Sequence, residues 1–350
     1  LGDLLLPSLE ITNFRAFRHL RVERLARVNL IVGKNNVGKS SLLEALWLYA
    51  RRGDPGAIWE QLAVREESVM RSASPGLSPS LIAIRNLFSQ RPDVVAQGGT
   101  LTIGSDAVPD QRLTIAIEHQ ADPSPQQRGS LPFFVLRIGD KTHLSTELMQ
   151  SMPDISTLPG ITHIPHTIIA ARGLTPQYVT ALWDKIALTN LEEDVVAALR
   201  ILTPEIERVN MLADPAVGPQ RIAMARVQGN GQPISLRSYG DGMFRLFMLA
   251  VALVNAPQGI LLVDEIENGL HYSALPDMWR LIFEVAARLN IQVFATTHSW
   301  DCIEAFQIAA ATTAEEGEVI RLGWKGRDVV ATLFDEQELA LIARDQIEVR

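Results

Sequence analysis

Residues 33–40 read Gly-Lys-Asn-Asn-Val-Gly-Lys-Ser and fit the spacing G-x-x-x-x-G-K-[ST] at every defined position. They follow the aliphatic run VNLIV and open the apolar run KSSLLEALWLY, the strand, loop and helix setting in which this spacing has a physical meaning. Glycines let successive backbone N–H groups turn inward around a phosphate, and the helix N-terminus adds a favourable dipole of up to about 2 kcal/mol. The stretch therefore reads as a nucleoside triphosphate site built from Gly33, Lys34, Asn35, Asn36, Val37, Gly38, Lys39, Ser40 and Ser41. Lys39 is expected to reach the β- and γ-phosphates, and the Ser40 hydroxyl to ligate Mg²⁺.

A second chemical group follows in GILLVDEIENGLH, residues 259–271. An entirely aliphatic strand suits the centre of a parallel sheet, and ligands collect at the carboxyl edge of such sheets. Asp264 is expected in the metal shell. Glu265 is expected to orient or deprotonate an attacking water, a role typically worth about 10²–10⁴ in rate. The next apolar stretch, IQVFATTHS, ends in His298. Parallel topology would bring that imidazole to the edge carrying Glu265, where it can bond the γ-phosphate or the water.

These groups need an alternating scaffold, and the chain supplies one. Strands are predicted at SLEITNF, LRVERL and VNLIVG, at RLTIAIEH and LPFFVLRIG, in THIPHTIIAARG and at RIAMARVQ. Helices are predicted near SLIAIRNLFSQ and over 176–189 and 191–202. From there the order is helix 241–254, strand 259–263, helix 272–289, strand 291–295, helix 299–311, a hairpin and a last helix. Residues 51–100, rich in Pro, Gly and Ser, are the least organised. The pattern implies a mixed sheet with helices on its faces.

Composition limits the partners. Of 350 residues, 32 are Lys or Arg and 40 are Asp or Glu, a net charge of −8, so contact with DNA would need a local basic patch. Arg15, Arg18, Arg21, Arg24 and Arg27 could form such a strip. Alternation on strands divides them between two faces, which favours a solvated hairpin with Arg15 as the best functional candidate. The single cysteine, Cys302, excludes disulfide frameworks and cysteine metal sites and fits a reducing cytoplasm. The opening residues lack the features of a signal peptide, and the apolar stretch 243–263 is too interrupted to span a bilayer.

Taken in order, GKNNVGKS, SYGDG (residues 238–242), LLVDE with NGLH behind it, and TTHS resemble the ABC-type ATPases of the SMC, RecF and OLD group, and most of all stand-alone bacterial OLD-like AAA-type ATPases. EITNFRAF and FATTHSWDCIEAF carry the same resemblance. It implies an α/β ABC-ATPase head: a P-loop NTPase mixed sheet flanked by helices with an inserted second lobe. The core lobe would be 1–50 plus 255–350, and the inserted lobe with the signature helix 51–254. It also implies a homodimer that sandwiches two ATP, each held by one chain's phosphate loop and the other's signature, through Ser238, Gly240, Asp241 and Gly242. Either Ser238 or the Gly240 backbone would meet the γ-phosphate. Asn268 and His271 match the segment that crosses the dimer interface, and the Mg²⁺-sensing glutamine could be Gln90, Gln97 or Gln150.

Heptads of an SMC-like arm are missing between Lys39 and Ser238. The residues after His298 are too few for the TOPRIM nuclease fused to full OLD proteins. The expectation is an ATPase that acts on or senses DNA and controls a separate effector, such as a nuclease, in repair or anti-phage defence. A transporter ATPase subunit and an ATP-dependent non-catalytic scaffold are the alternatives.

Overall fold

The computed structural model describes residues 4–67, 83–121, 130–147, 161–213, 221–313 and 317–334. Its centre is a six-stranded sheet whose strands come from distant parts of the chain: β3 (Val28–Val32), β8 (His166–Ile169), β12 (Ile260–Val263), β13 (Gln292–Thr296), β14 (Gly317–Lys325) and β15 (Asp328–Phe334). The spatial order is β15-β14-β3-β13-β12-β8, parallel except for the β14–β15 hairpin.

Side chains alternate across this sheet into two cores, which is why its strands read as unbroken apolar runs. Leu30, Val32, Leu261, Val263, Val293 and Ala295 enter one core. There they meet α3 (Pro176–Ile186), α4 (Leu191–Arg200), α5 (Asp241–Val254), α6 (Leu275–Leu289) and α7 (Trp300–Ala310). Ile31, Ile260, Leu262 and Phe294 enter the other.

That second core holds α1 (Lys39–Ala50) and α2 (Pro55–Val64) against an antiparallel sheet. Its strands are β1 (Leu9–Phe14), β2 (Phe17–Val22), β4 (Gly99–Gly104), β5 (Leu113–Ala121), β6 (Ser130–Ile138) and β7 (Lys141–Glu147), in the order β2-β1-β4-β5-β6-β7. Enclosed on both sides, α1 is buried almost all round, including Leu42, Leu43, Leu46 and Tyr49. A small sheet of β9 (Ile206–Ala213), β10 (Arg221–Val227) and β11 (Ile234–Ser235) leads into α5.

Several local expectations shift. The strand read at LRVERL runs instead over Phe17–Val22, because Asn13 and Arg15 take positive φ and close a tight turn that starts the hairpin earlier. The expected helix 272–289 begins with a 3₁₀ turn, Tyr272–Ala274, before α6. Within the described part of SLIAIRNLFSQ, residues 85–87 form a 3₁₀ turn. The sequence division into 1–50 plus 255–350 and 51–254 does not follow the sheets. Strand β8, from inside 51–254, pairs in parallel with β12, while β1 and β2 belong to the antiparallel sheet. The last expected helix and Gln150 lie outside the described residues.

Candidate active site

Parallel register aligns the carboxyl ends of three neighbouring strands. Val263 pairs with Ala295, and Thr296 with Ile31. Gly33, Asp264 and His298 therefore all leave the sheet at one edge. A cavity of about 780 Å³ opens there, lined by Asn35, Asn36, Gly38, Lys39, Ser40, Ser41, Glu265 and His298, together with Arg15, Arg65, Gln90 and Arg91.

Lys39 is 5% exposed, and its ammonium donates to the carbonyls of Gly33 at 2.6 Å and Lys34 at 3.1 Å. Burial lowers its pKa, against the opposing pull of Asp264, Glu265 and Glu267. Lys34, Asn35 and Asn36 are exposed, whereas the Val37 side chain is 1% exposed and packs into the second core. Val37 can thus offer a phosphate only its backbone. Ser40 Oγ donates to Asp264 Oδ2 at 3.1 Å.

Glu265 sits in the left-handed region, at φ 49°. Its Oε1 lies 3.5 Å from His298 Nε2, and its Oε2 accepts from Asn268 Nδ2 at 2.6 Å. Asn268, expected at a dimer interface, holds the carboxylate of its own chain. Glu267 accepts from the His298 N–H at 2.9 Å, so the segment behind Asp264 also fixes the loop after β13. His271 does not line the cavity: its Nδ1 caps the 3₁₀ turn by accepting from the Ser273 N–H at 3.4 Å and lies 2.8 Å from the Ser273 hydroxyl, and its ring lies 4.3 Å from that of Tyr272.

The residues expected to form a signature do not line this cavity. Ser238 is exposed in a 3₁₀ turn, Gly240 is the N-cap of α5 at φ 99°, and Asp241 occupies its first turn, where its charge complements the helix dipole. Asp241 and Asn268 line a separate pocket of about 230 Å³ with Arg172, Arg237 and Gly269. The two glycines have different reasons. A Cβ at Gly240 would meet nothing within 4 Å, but a Cβ at Gly242 would come within 2.6 Å of the Gly269 carbonyl oxygen. Backbone permissiveness explains the first and close packing the second.

Of the five arginines from 15 to 27, none stands as a free strip. Arg15, its side chain 4% exposed, pairs with Glu44 at 2.8 Å and Glu67 at 2.9 Å. Arg18 faces Asp328, Arg21 faces Glu23, Arg24 faces Glu318 and Arg27 bonds Asn290. Of the candidate glutamines, Gln90 lines the cavity, and Gln97 lies on a short helical turn away from it.

Two contributors escaped the sequence reading. Arg245, buried on α5, donates to the carbonyls of Ala170, Asp264 and Glu265 at 3.3, 3.1 and 3.0 Å. Thr296, fully buried, bonds both Asp264 and Glu265. An arginine inside the apolar run MFRLFMLAVALV and a hydroxyl ending an apolar strand were the available signals.

Residues 167–301 match the family described as "AAA domain, putative AbiEii toxin, Type IV TA system", and residues 5–70 match the family described as "AAA ATPase domain". A Helicobacter pylori protein described as an ATP/GTP phosphatase is 23% identical, over 86% of this chain and 87% of the relative. The DNA double-strand break repair Rad50 ATPase of Archaeoglobus fulgidus is 29% identical over 129 residues, 37% of this chain and 14% of its own length. An SMC head, solved bound to the C-terminal winged-helix domain of ScpA, superposes with a TM-score of 0.55 at 15% identity, covering 95% of this chain and 99% of that one. Among the described residues, no helix is long and apolar enough to cross a membrane. With its phosphate loop and two matched AAA ATPase families, the chain is a P-loop ATPase, and its fold is similar to that of an SMC head.

Proposed function

We propose that ATP is hydrolysed in the 780 Å³ cavity, with Lys39 on the phosphates, Glu265 acting on the attacking water and His298 beside it. The observation that carries this reading is that Glu265 and His298 line one cavity with Lys39 and Ser40, although 225 or more residues separate the two pairs in sequence. The phosphates would draw the Lys39 ammonium from the Gly33 and Lys34 carbonyls that now hold it. The Glu265 carboxylate, tied at one oxygen to Asn268, keeps the other toward His298 and free to take a proton from water.

Mg²⁺ fits the residues present. A serine hydroxyl 3.1 Å from a carboxylate oxygen is a hard oxygen pair, and Mg²⁺ on nucleotides is typically held by one or two carboxylates plus phosphates and water. Ser40 and Asp264 would hold it, and the ion would supply charge stabilisation for the transferring phosphoryl group.

Ser238, Gly240, Asp241 and Gly242 lie apart from the phosphate cavity within one chain, which supports a homodimer in which each signature completes the partner's site. The relatives named for DNA repair support a role on DNA, and we place that role in repair or anti-phage defence, in the cytoplasm and through a separate effector. Phosphate release measured with the Lys39→Met and Glu265→Gln variants tests the assignment. Each is expected to lose roughly 100-fold or more in turnover, and a Glu265→Gln enzyme at the wild-type rate would overturn it.

A further inference from the structure

Thr296 ends β13 with its side chain sealed inside the protein, after Val293, Phe294 and Ala295. A buried hydroxyl needs partners, and both of its partners belong to the acidic pair. Oγ1 donates to Asp264 Oδ1 at 2.6 Å and accepts from the Glu265 N–H at 2.9 Å. One hydroxyl proton and two lone pairs allow both bonds at once.

The two bonds constrain different things. With Oδ1 occupied, Asp264 presents Oδ2 to the Ser40 hydroxyl at 3.1 Å. The second bond holds the peptide of Glu265, whose φ of 49° is uncommon for a residue with a side chain. Arg245 grips the same residue through its carbonyl at 3.0 Å. The αL turn directs the Glu265 side chain into the cavity with Lys39.

We infer that Thr296 is a positioning residue for ATP hydrolysis, aiming Asp264 at Ser40 and holding Glu265 in the left-handed turn that delivers its carboxylate. This rests on the roles proposed above for Asp264 and Glu265. Valine at this position keeps the shape of the side chain and removes both bonds; serine keeps the hydroxyl and drops the methyl.

The test uses the full chain with Thr296→Val, Thr296→Ser and Glu265→Gln side by side. Initial rates across ATP concentrations give kcat and KM, and a fluorescent ATP analogue in EDTA gives nucleotide affinity without turnover. Thr296→Val is expected to lose about 10- to 100-fold in kcat, as a small misplacement of reacting groups does, with analogue affinity within about twofold of wild type. Thr296→Ser is expected within about threefold of the wild-type kcat, because it retains the hydroxyl.

A valine variant with wild-type kcat, a serine variant as slow as valine, or a loss of analogue binding that matches the loss of rate would each overturn the inference. Should the valine variant not fold, Thr296→Ala set against Thr296→Ser makes the same comparison. Full turnover in Thr296→Val beside an inactive Glu265→Gln removes the Thr296 assignment alone. Full turnover in Glu265→Gln removes the roles on which it rests.

Discussion

Arg245, five residues after Gly240, donates to the backbone carbonyls of Asp264 and Glu265. The helix that begins at the signature is thereby tied to the strand end that carries the acidic pair. Burial lowers the Arg245 pKa, opposed by Glu267, Asp264 and Glu265, yet a guanidinium stays charged at any ordinary pH. Replacing it by methionine keeps the apolar stem and strands carbonyls in a buried place, an expected loss of about 3 kcal/mol. Chemical denaturation checks this, and a loss under about 0.5 kcal/mol would make the contact incidental.

Gly242 tests whether the signature needs its glycines for this chain's own packing. Alanine there pushes a methyl against the Gly269 carbonyl oxygen, 2.6 Å from the ideal Cβ. An overpacking cost of about 1–3 kcal/mol is expected. Alanine at Gly240 meets no atom and strains only the backbone, at φ 99°. Thermal melting of the two variants should therefore rest on different causes, and a Gly240→Ala variant that melts normally but no longer assembles with ATP would separate packing from nucleotide contact.

His166 opens β8 with its Nδ1 2.7 Å from the Ile164 carbonyl oxygen, an acceptor that requires Nδ1 to carry a proton. Burial lowers its pKa below the ordinary 6.5, and burial with Arg51 nearby lowers that of His163 too. Between the lowered folded value and 6.5 the unfolded chain binds more protons, so stability falls as pH drops through 6.5. Unfolding midpoints from about pH 8 to about pH 5 should decline in the wild type and decline less in His166→Asn. Equal slopes would contradict the assignment.

Cys302 packs on α7 with its thiol pKa pushed up to about 12, chiefly by burial. A thiol held in the protonated form is a poor nucleophile. Thiol reagents should label the protein only after denaturation; rapid labelling of the native chain at neutral pH would contradict this burial.

Much of this site was legible in the residues themselves. The phosphate loop announced itself by spacing and by the strand and helix around it. Asp264, Glu265 and His298 announced themselves as polar endings of apolar strands, and parallel register then set them on one edge. What a linear reading could not give was pairing across the chain. Nothing in FRAFRHLRVERLAR says that Arg15 will meet Glu67, and nothing in NGLH says that Asn268 will hold Glu265. The membership of β8 in the parallel sheet was hidden for the same reason, since HTII is short and its partner lies far downstream. Arg245 is a single polar residue in an apolar run and Thr296 a hydroxyl at the end of an apolar strand, and the purpose of each exists only in the fold.

In the proposed dimer, one chain's phosphate loop and its partner's signature enclose the ATP that Glu265 hydrolyses. Light scattering of Glu265→Gln with ATP and Mg²⁺ tests this dimer most directly. The predicted result is twice the monomer mass with ATP and a return to monomer when ATP is removed. A monomer at every ATP concentration would contradict the dimer.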